Sequence, residues 1–360
     1  MATFPPIVVD NLSDLQNAVW HAGTGGSSPG WDTNNESGTW TFTNTNFTGL
    51  ASATLMERVG FIGGTIDAGN PGKSVLKYVN GIWFMLGQNR KCRTSADGIT
   101  WTSRTILGGI ASSELFDVAW NGSVYCIVGG DIVGAANSSL ISTSPDLITW
   151  TARTSPNTTH CYFGIAWNGT TFAAGGGKTN PSPTGTEITS ADGIAWATQR
   201  GPTAFEIGRF MVWDGTNFIA SFNSRVWTSP TGVTWTDRTG TLPDFTTYSL
   251  IVGSGVVVAL DAQNGNKLAT SIDHGITWVD RTATKPGGFD MSSSVCAWNG
   301  SIFMFISGFN KTIWTSPDAI TWTQDTVFTA ETSYANGIAS NGVQFLAALS
   351  GLDGLLYSNY

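Results

Sequence analysis

The phrase TSADGITWTSRT occupies residues 94–105, and five variants of it follow along the chain: TSPDLITWTART (143–154), TSADGIAWATQR (189–200), TSPTGVTWTDRT (228–239), TSIDHGITWVDRT (270–282) and TSPDAITWTQDT (315–326). The anchoring tryptophans are Trp101, Trp150, Trp196, Trp235, Trp278 and Trp322. Self-similarity at an interval of about 40–50 residues is the mark of a repeat architecture.

A second phrase alternates with the first. It consists of an apolar run, a turn with Gly, and another apolar run: KYVNGIWFML, VAWNGSVYCIVGG, IAWNGTTFAAGGG, MVWDGTNFIASF, LIVGSGVVVAL, CAWNGSIFMFISG and IASNGVQFLAAL. Asn-Gly or Asp-Gly between apolar runs predicts a hairpin with a two-residue turn, because both turn residues then take positive φ. Each unit therefore holds strand a, a hairpin, strand b, a variable loop, strand c, the Asp-containing turn and strand d. Seven such units predict an all-β chain, a seven-bladed β-propeller with four-stranded blades.

The last unit ends at GLLYSNY (354–360), where strand c belongs, and lacks strand d. Near the start, SGTWTFTN (37–44) matches the GITWT phrase. The expectation is that a strand near Trp40 completes the seventh blade. Residues 1–36 then form an N-terminal arm, residues 37–360 the propeller, and 45–76 an interblade insertion. The stretch DNLSDLQNAV in the arm reads as one short helix.

These motifs resemble the Asp-box, or bacterial neuraminidase repeat, propellers, whose signature is Ser-x-Asp-x-Gly-x-Thr-Trp. Ser271, Asp273, Gly275, Thr277 and Trp278 match it fully, and the other copies are one residue shorter. Asp97, Asp146, Asp192, Asp273 and Asp318 hold the acidic position, and Thr231 departs from it. The resemblance implies a structural role. Asp accepts backbone N–H bonds in the turn, and Trp starts strand d and packs between blades. The arginines three residues after Trp (Arg104, Arg153, Arg238, Arg281) recur, which suits a pairing group at the blade edge. Sialidases share the fold, but their early Arg-Ile-Pro phrase is absent and no arginine triad can be assembled.

Composition narrows the function. Charged residues make up 12% of the chain, the net charge is −8, and the 17 basic residues form no run. Nucleic-acid binding rests on clustered cations and is not expected. No apolar run approaches the length of a membrane span, and no secretory signal is read at the start. The cysteines (Cys92, Cys126, Cys161, Cys296) show no metal or disulfide spacing and read as small buried thiols. No cofactor and no metal site are expected.

Hairpins and Asp turns must share one face of the disc. The b–c loops and interblade connections, including 129–139, 154–163, 175–187, 239–249, 282–292 and 328–336, form the other. Function tends to reside in such loops. The candidate glycan or partner residues there are Asp131, His160, Tyr162, Asp244, Phe245, Tyr248, Asp290 and Tyr334, since rings can stack on sugars while polar groups fix hydroxyls. A chain rich in Thr, Ser, Asn and Gly and poor in charge resembles the surface proteins of bacteriophage particles. The expectation is a non-enzymatic virion protein of tail or capsid, made in the host cytoplasm. Residues 1–36 would contact other virion proteins, and the loop face would contact host-surface glycan or a virion partner. The alternatives are a glycan-cleaving enzyme using two loop-face carboxylates, for which Glu114 and Asp131 are among the candidates, or a cellular assembly factor.

Overall fold

A computed structural model describes residues 56–57 and 75–359, apart from the short stretches 132–137, 179–183, 205–207, 223–224, 242–246, 262–266, 285–294, 307–312, 326–334 and 350–354. The chain divides into two units, Met1–Ala51 and Ser52–Tyr360. Trp40, the expected short helix and the 1–36 arm lie outside the described residues.

The second unit is an all-β propeller of four-stranded antiparallel blades. Six sheets each take four consecutive strands. The first holds β2–β5 (Val75–Val79, Ile82–Leu86, Lys91–Ser95, Thr102–Thr105) and the second β6–β9 (Glu114–Trp120, Tyr125–Asp131, Ser138–Ser144, Thr151–Ala152). The third holds β10–β13 (Cys161–Trp167, Phe172–Lys178, Thr184–Ser190, Ala197–Ala204) and the fourth β14–β17 (Gly208–Trp213, Phe218–Phe222, Arg225–Ser229, Thr236–Asp237). The fifth holds β18–β21 (Thr247–Gly253, Val256–Asp261, Lys267–Ser271, Val279–Asp280) and the sixth β22–β25 (Val295–Trp298, Phe303–Ile306, Ile313–Ser316, Thr323–Asp325). One further sheet is composite. It joins β26 (Ala335–Ser340), β27 (Gln344–Leu349) and β28 (Leu355–Asn359) to β1 (Met56–Glu57).

The composite sheet bears on the expected closure. Its outer strand comes from the N-terminal side, as the missing strand d requires, but it is Met56–Glu57, paired antiparallel as Met56↔Ser358 and Glu57↔Tyr357. The stretch read as the 45–76 insertion thus contains a strand of this sheet, and β2 begins within its last residues. The Trp motif does not locate this strand, because two residues of pairing carry no periodic signal.

The first strands of the sheets, β2, β6, β10, β14, β18, β22 and β26, line the inside, each in contact with the next, and β26 touches β2. The core is divided into clusters shared between neighbouring sheets. Trp150 closes one with Phe84, Leu86, Val118 and Ile127, from the first and second sheets. Trp278 closes another with Ile219, Val226, Leu250 and Val257. Trp101 packs on a cluster of Leu76, Trp83 and Met85 with Ala339, Leu346 and Ala348, which joins the first sheet to the composite one. The turn tryptophans therefore pack between blades, as expected. All four cysteines are buried thiols, and burial pushes the Cys92 thiol up to about 12.

The hairpins depart from expectation. Only two are two-residue turns with positive φ at both positions, Asn80-Gly81 (49° and 78°) and Ser254-Gly255 (51° and 73°). The other five have four residues between paired positions, as between Trp120 and Tyr125. There the Asn121 side-chain oxygen accepts the Ser123 and Val124 amides at 2.9 and 2.8 Å. The same Asx geometry recurs at Asn168, Asp214, Asn299 and Asn341. Only the glycine of these wider turns takes positive φ, so Asn serves as an acceptor instead of a left-handed residue.

Candidate functional site

One face of the propeller is spent on holding itself together. In the first Asp turn, Asp97 Oδ1 accepts the Ile99 and Thr100 amides at 2.8 and 2.7 Å and the Ser95 hydroxyl at 2.8 Å. Ser95 Oγ accepts the Gly98 amide, and Trp101 Nε1 donates to the Gly98 carbonyl at 2.7 Å. Asp146, Asp192 and Asp318 repeat the carboxylate pattern. Across one extra residue, the Asp273 carboxylate accepts the Thr277 amide and the Ser271 hydroxyl, and the Ile276 amide donates to the Asp273 carbonyl instead. In the fourth turn Thr231 takes the Asp place and accepts only the Val233 amide, at 3.3 Å. The repeated arginines are edge-pairing groups: Nε of Arg104, Arg153, Arg238 and Arg281 donates to Thr94, Thr143, Thr228 and Thr270.

Hairpins and Asp turns do share a face. Asn168 donates to the Pro230 carbonyl in the next sheet's turn, and Asn217 to that of His274. The two departures from the repeat meet each other here. Asp214 is the only acidic hairpin residue, and His274 is the extra residue of the long turn. They pair at 3.1 Å.

The turn carboxylates stay ionised in the fold. At Asp97 burial raises the pKa, but the Thr100 and Ile99 amides and the Ser95 hydroxyl outweigh it and hold the group at about 2. Asp146 and Asp192 are lowered chiefly by their backbone N–H bonds. In Asp273 and Asp318, burial opposes a net lowering by hydrogen bonds. A carboxylate whose folded pKa lies below its unfolded value, about 3.9 for Asp, stabilises the fold above that value and loses the contribution as pH falls through it. The thermal midpoint of the protein is therefore expected to drop steeply between about pH 4 and pH 2. Asp97→Asn should remove part of that slope. A midpoint constant across the interval would contradict the assignment.

The opposite face carries the variable segments, and its boundaries are narrower than the sequence suggests. Residues 129–131, 161–163 and 175–178 belong to strands, not loops. Of the candidate residues, Tyr162 is a correction. It is fully buried between the second and third sheets, with its hydroxyl 2.9 Å from Ser155 Oγ. Burial moves its pKa up to about 12. Such a ring cannot stack on a sugar. Asp131 is also buried and bonds to Ser112. His160 is buried, with its ring nitrogens 3.4 and 3.3 Å from Thr159 and Thr184 hydroxyls. Burial first, then the Lys178 charge, lowers its pKa and favours the neutral ring. Asp244, Phe245, Asp290 and Tyr334 lie outside the described residues, and Tyr248 lies in β18.

The arrangement that sequence reading misses is a set of bulges. In five inner strands the pairing skips one residue near the loop-face end: between Leu115 and Asp117, Tyr162 and Gly164, Gly208 and Phe210, Thr247 and Ser249, and Ala335 and Gly337. The skipped residues are Phe116, Phe163, Arg209, Tyr248 and Asn336. A bulge re-aims one side chain away from the ladder. Phe116 and Phe163, from adjacent sheets, meet with ring centroids 4.9 Å apart and stay partly exposed. Next to them Asp117 ties three inner strands together. It pairs with Lys77 Nζ at 3.0 Å and accepts the Ile165 amide at 3.1 Å and its own neighbour Val118 at 2.9 Å. The signal available in the sequence is a pair of opposite charges, Lys77 and Asp117, each flanked by apolar residues in strands one repeat apart.

Among the described residues no group of three or more His, Cys, Asp or Glu could hold a metal, and no helix is long and apolar enough to cross a membrane. No protein-family model and no curated protein matches the chain. Solved structures do resemble it. YCF48 bound to D1 peptide superposes with a TM-score of 0.60 at 16% identity, over 85% of this chain and 95% of that one. A streptogramin B lyase gives 0.64 at 11% identity, over 85% and 97%. The WD40 β propeller domain of Doa1 gives 0.56 at 11%, over 85% and 97%. At these identities the likeness is one of fold alone: this chain has the fold of a β-propeller.

Proposed function

We propose that this chain is a non-enzymatic structural protein of a bacteriophage particle. On this reading it is a seven-bladed propeller of the Asp-box kind, counting the composite sheet as a blade, and it presents its loop face to a host-surface glycan or another virion protein. Residues 1–36 serve as its attachment arm. The observation that carries the binding role is the row of bulges, which turns one residue from each of five inner strands out of the ladder at the loop-face rim. Two carboxylates near that rim serve structure: Asp117 joins three strands and Asp131 holds Ser112. A propeller of this shape can hold a peptide, as YCF48 does with the D1 peptide. The charge-poor, Thr-, Ser-, Asn- and Gly-rich composition supports the virion setting.

The test is a glycan array carrying bacterial surface polysaccharides, with product release assayed in the same wells. Binding without cleavage is expected, weakened at least tenfold by Phe116→Ala with Phe163→Ala. Cleavage would overturn the non-enzymatic reading and turn attention to Glu114 and Asp131. Binding that ignores both phenylalanines would remove the bulge row from the site.

A further inference from the structure

The face opposite those loops carries a second regularity that the fold does not require. In every Asp turn the residue two before Trp is a β-branched aliphatic: Ile99, Ile148, Ile194, Val233, Ile276 and Ile320. The turn uses only the backbone there, as when Ile148 N–H donates to Asp146. All six side chains are exposed, Ile148 by 72% and Ile99 by 58%. Scattered single apolar residues on a surface need no explanation. The same apolar choice at one exposed position in six repeats does, because the turn bonds only the backbone of that residue and asks nothing of its side chain. These residues recur once per Asp turn, so each of the six turns presents its own apolar contact.

The Asp turns carry carboxylates at Asp97, Asp146, Asp192, Asp273 and Asp318 and no Lys or Arg. Asp214 of the fourth hairpin is withdrawn from solvent and paired with His274. The repeated arginines follow the turns, their Nε groups held by threonine hydroxyls, and Arg104 lines one cleft with Asp97 and Thr100. A second copy of this chain would set carboxylates against carboxylates. Charge complementarity calls for an occupant that pairs cations with aliphatic groups.

We infer that the Asp-turn face is a second docking surface, and that its occupant is a protein segment presenting Lys or Arg beside aliphatic side chains. The aliphatic ring supplies the buried contact, and the carboxylates select the cationic partner and set the encounter rate. This inference does not rest on the loop-face reading and can fail without it.

The experiment uses the full chain and two designed amphipathic peptides, one alternating Leu with Lys and the other Leu with Glu, measured by fluorescence anisotropy. The Leu/Lys peptide is expected to bind, to weaken at least tenfold between low and physiological salt, and to weaken at least tenfold again in the triple variant Ile99→Thr, Ile148→Thr, Ile194→Thr. Threonine keeps the β-branch, and an unchanged thermal midpoint confirms that the variant is folded. Phe116→Ala with Phe163→Ala should leave peptide binding untouched. Equal binding of both peptides, no binding, or binding indifferent to the threonines would overturn the inference. So would concentration-dependent dimerisation abolished by the same triple variant, which would give the face to a second copy.

Discussion

Phe172→Ala is expected to destabilise the propeller by about 3–5 kcal/mol, read as a shift in the denaturant midpoint without a change in cooperativity. Phe172 is fully buried at the start of β11. Its ring lies 4.7 Å from Trp167, at the end of strand a, and 6.1 Å from Trp196 of the Asp turn. Three elements of one repeat, the hairpin, strand b and the Asp turn, thus meet on one ring. The same trio recurs as Trp213, Phe218 and Trp235. Truncation opens a cavity that rigid blades on both sides cannot close, so cavity and transfer costs add. Ile148→Thr, at an exposed position, should stay within about 0.5 kcal/mol of the parent. A loss below about 1 kcal/mol at Phe172 would mean that the interblade core is not packed as described.

Gly176→Ala is expected to cost about 3 kcal/mol or more, enough to depress soluble yield. A methyl group added there would sit 2.1 Å from the Cys161 carbonyl oxygen and 2.8 Å from the Tyr162 Cα. Both are backbone atoms of the paired strand and cannot swing aside. The position adjoins the bulge between Tyr162 and Gly164, where β10 and β11 come unusually close. Gly215→Ala isolates the other cost of losing glycine. It has open space around it but φ of +98°, so strain alone should amount to about 1–2 kcal/mol. Comparing the two melts separates steric overlap from backbone strain. Equal effects would deny the close strand approach at Gly176.

The contrast between these two glycines shows what the sequence can and cannot convey. Gly215 announces itself, because Asp-Gly between apolar runs marks a hairpin whose glycine takes positive φ, even though the turn is wider than two residues. Gly175, Gly176 and Gly177 look like loop glycines of the variable face, yet they continue β11 to Lys178. Their cause lies in the partner strand, one hairpin away, and no local pattern reports it. Four-stranded units, strand order, the Trp cores and the shared face of hairpins and Asp turns are all legible, because a repeat states each of them many times. The bulged residues are not, because a bulge is a mismatch between two strands and leaves no mark in either. Tyr162 reads as a loop-face ring for the same reason: it lies one residue from Phe163, and only the bulge decides which of the two faces the core.

The closing strand is the part of the fold on which the rest depends, since loops are held in register only if the ring is shut. The Met56–Glu57 strand seals the composite sheet against Leu355–Asn359. Directly opposed residues on antiparallel strands have Cα atoms about 4.5–5.5 Å apart, within disulfide reach. The decisive measurement is oxidative cross-linking of Met56→Cys/Ser358→Cys, read by mass spectrometry and by the thermal midpoint, with Trp40→Cys/Ser358→Cys as the comparison. The native cysteines are buried and should not interfere. Closure through Met56 predicts that the first pair forms a disulfide quantitatively and raises the midpoint. Failure of that pair to cross-link, together with efficient cross-linking of the Trp40 pair, would contradict it and return the closing strand to the Trp40 segment.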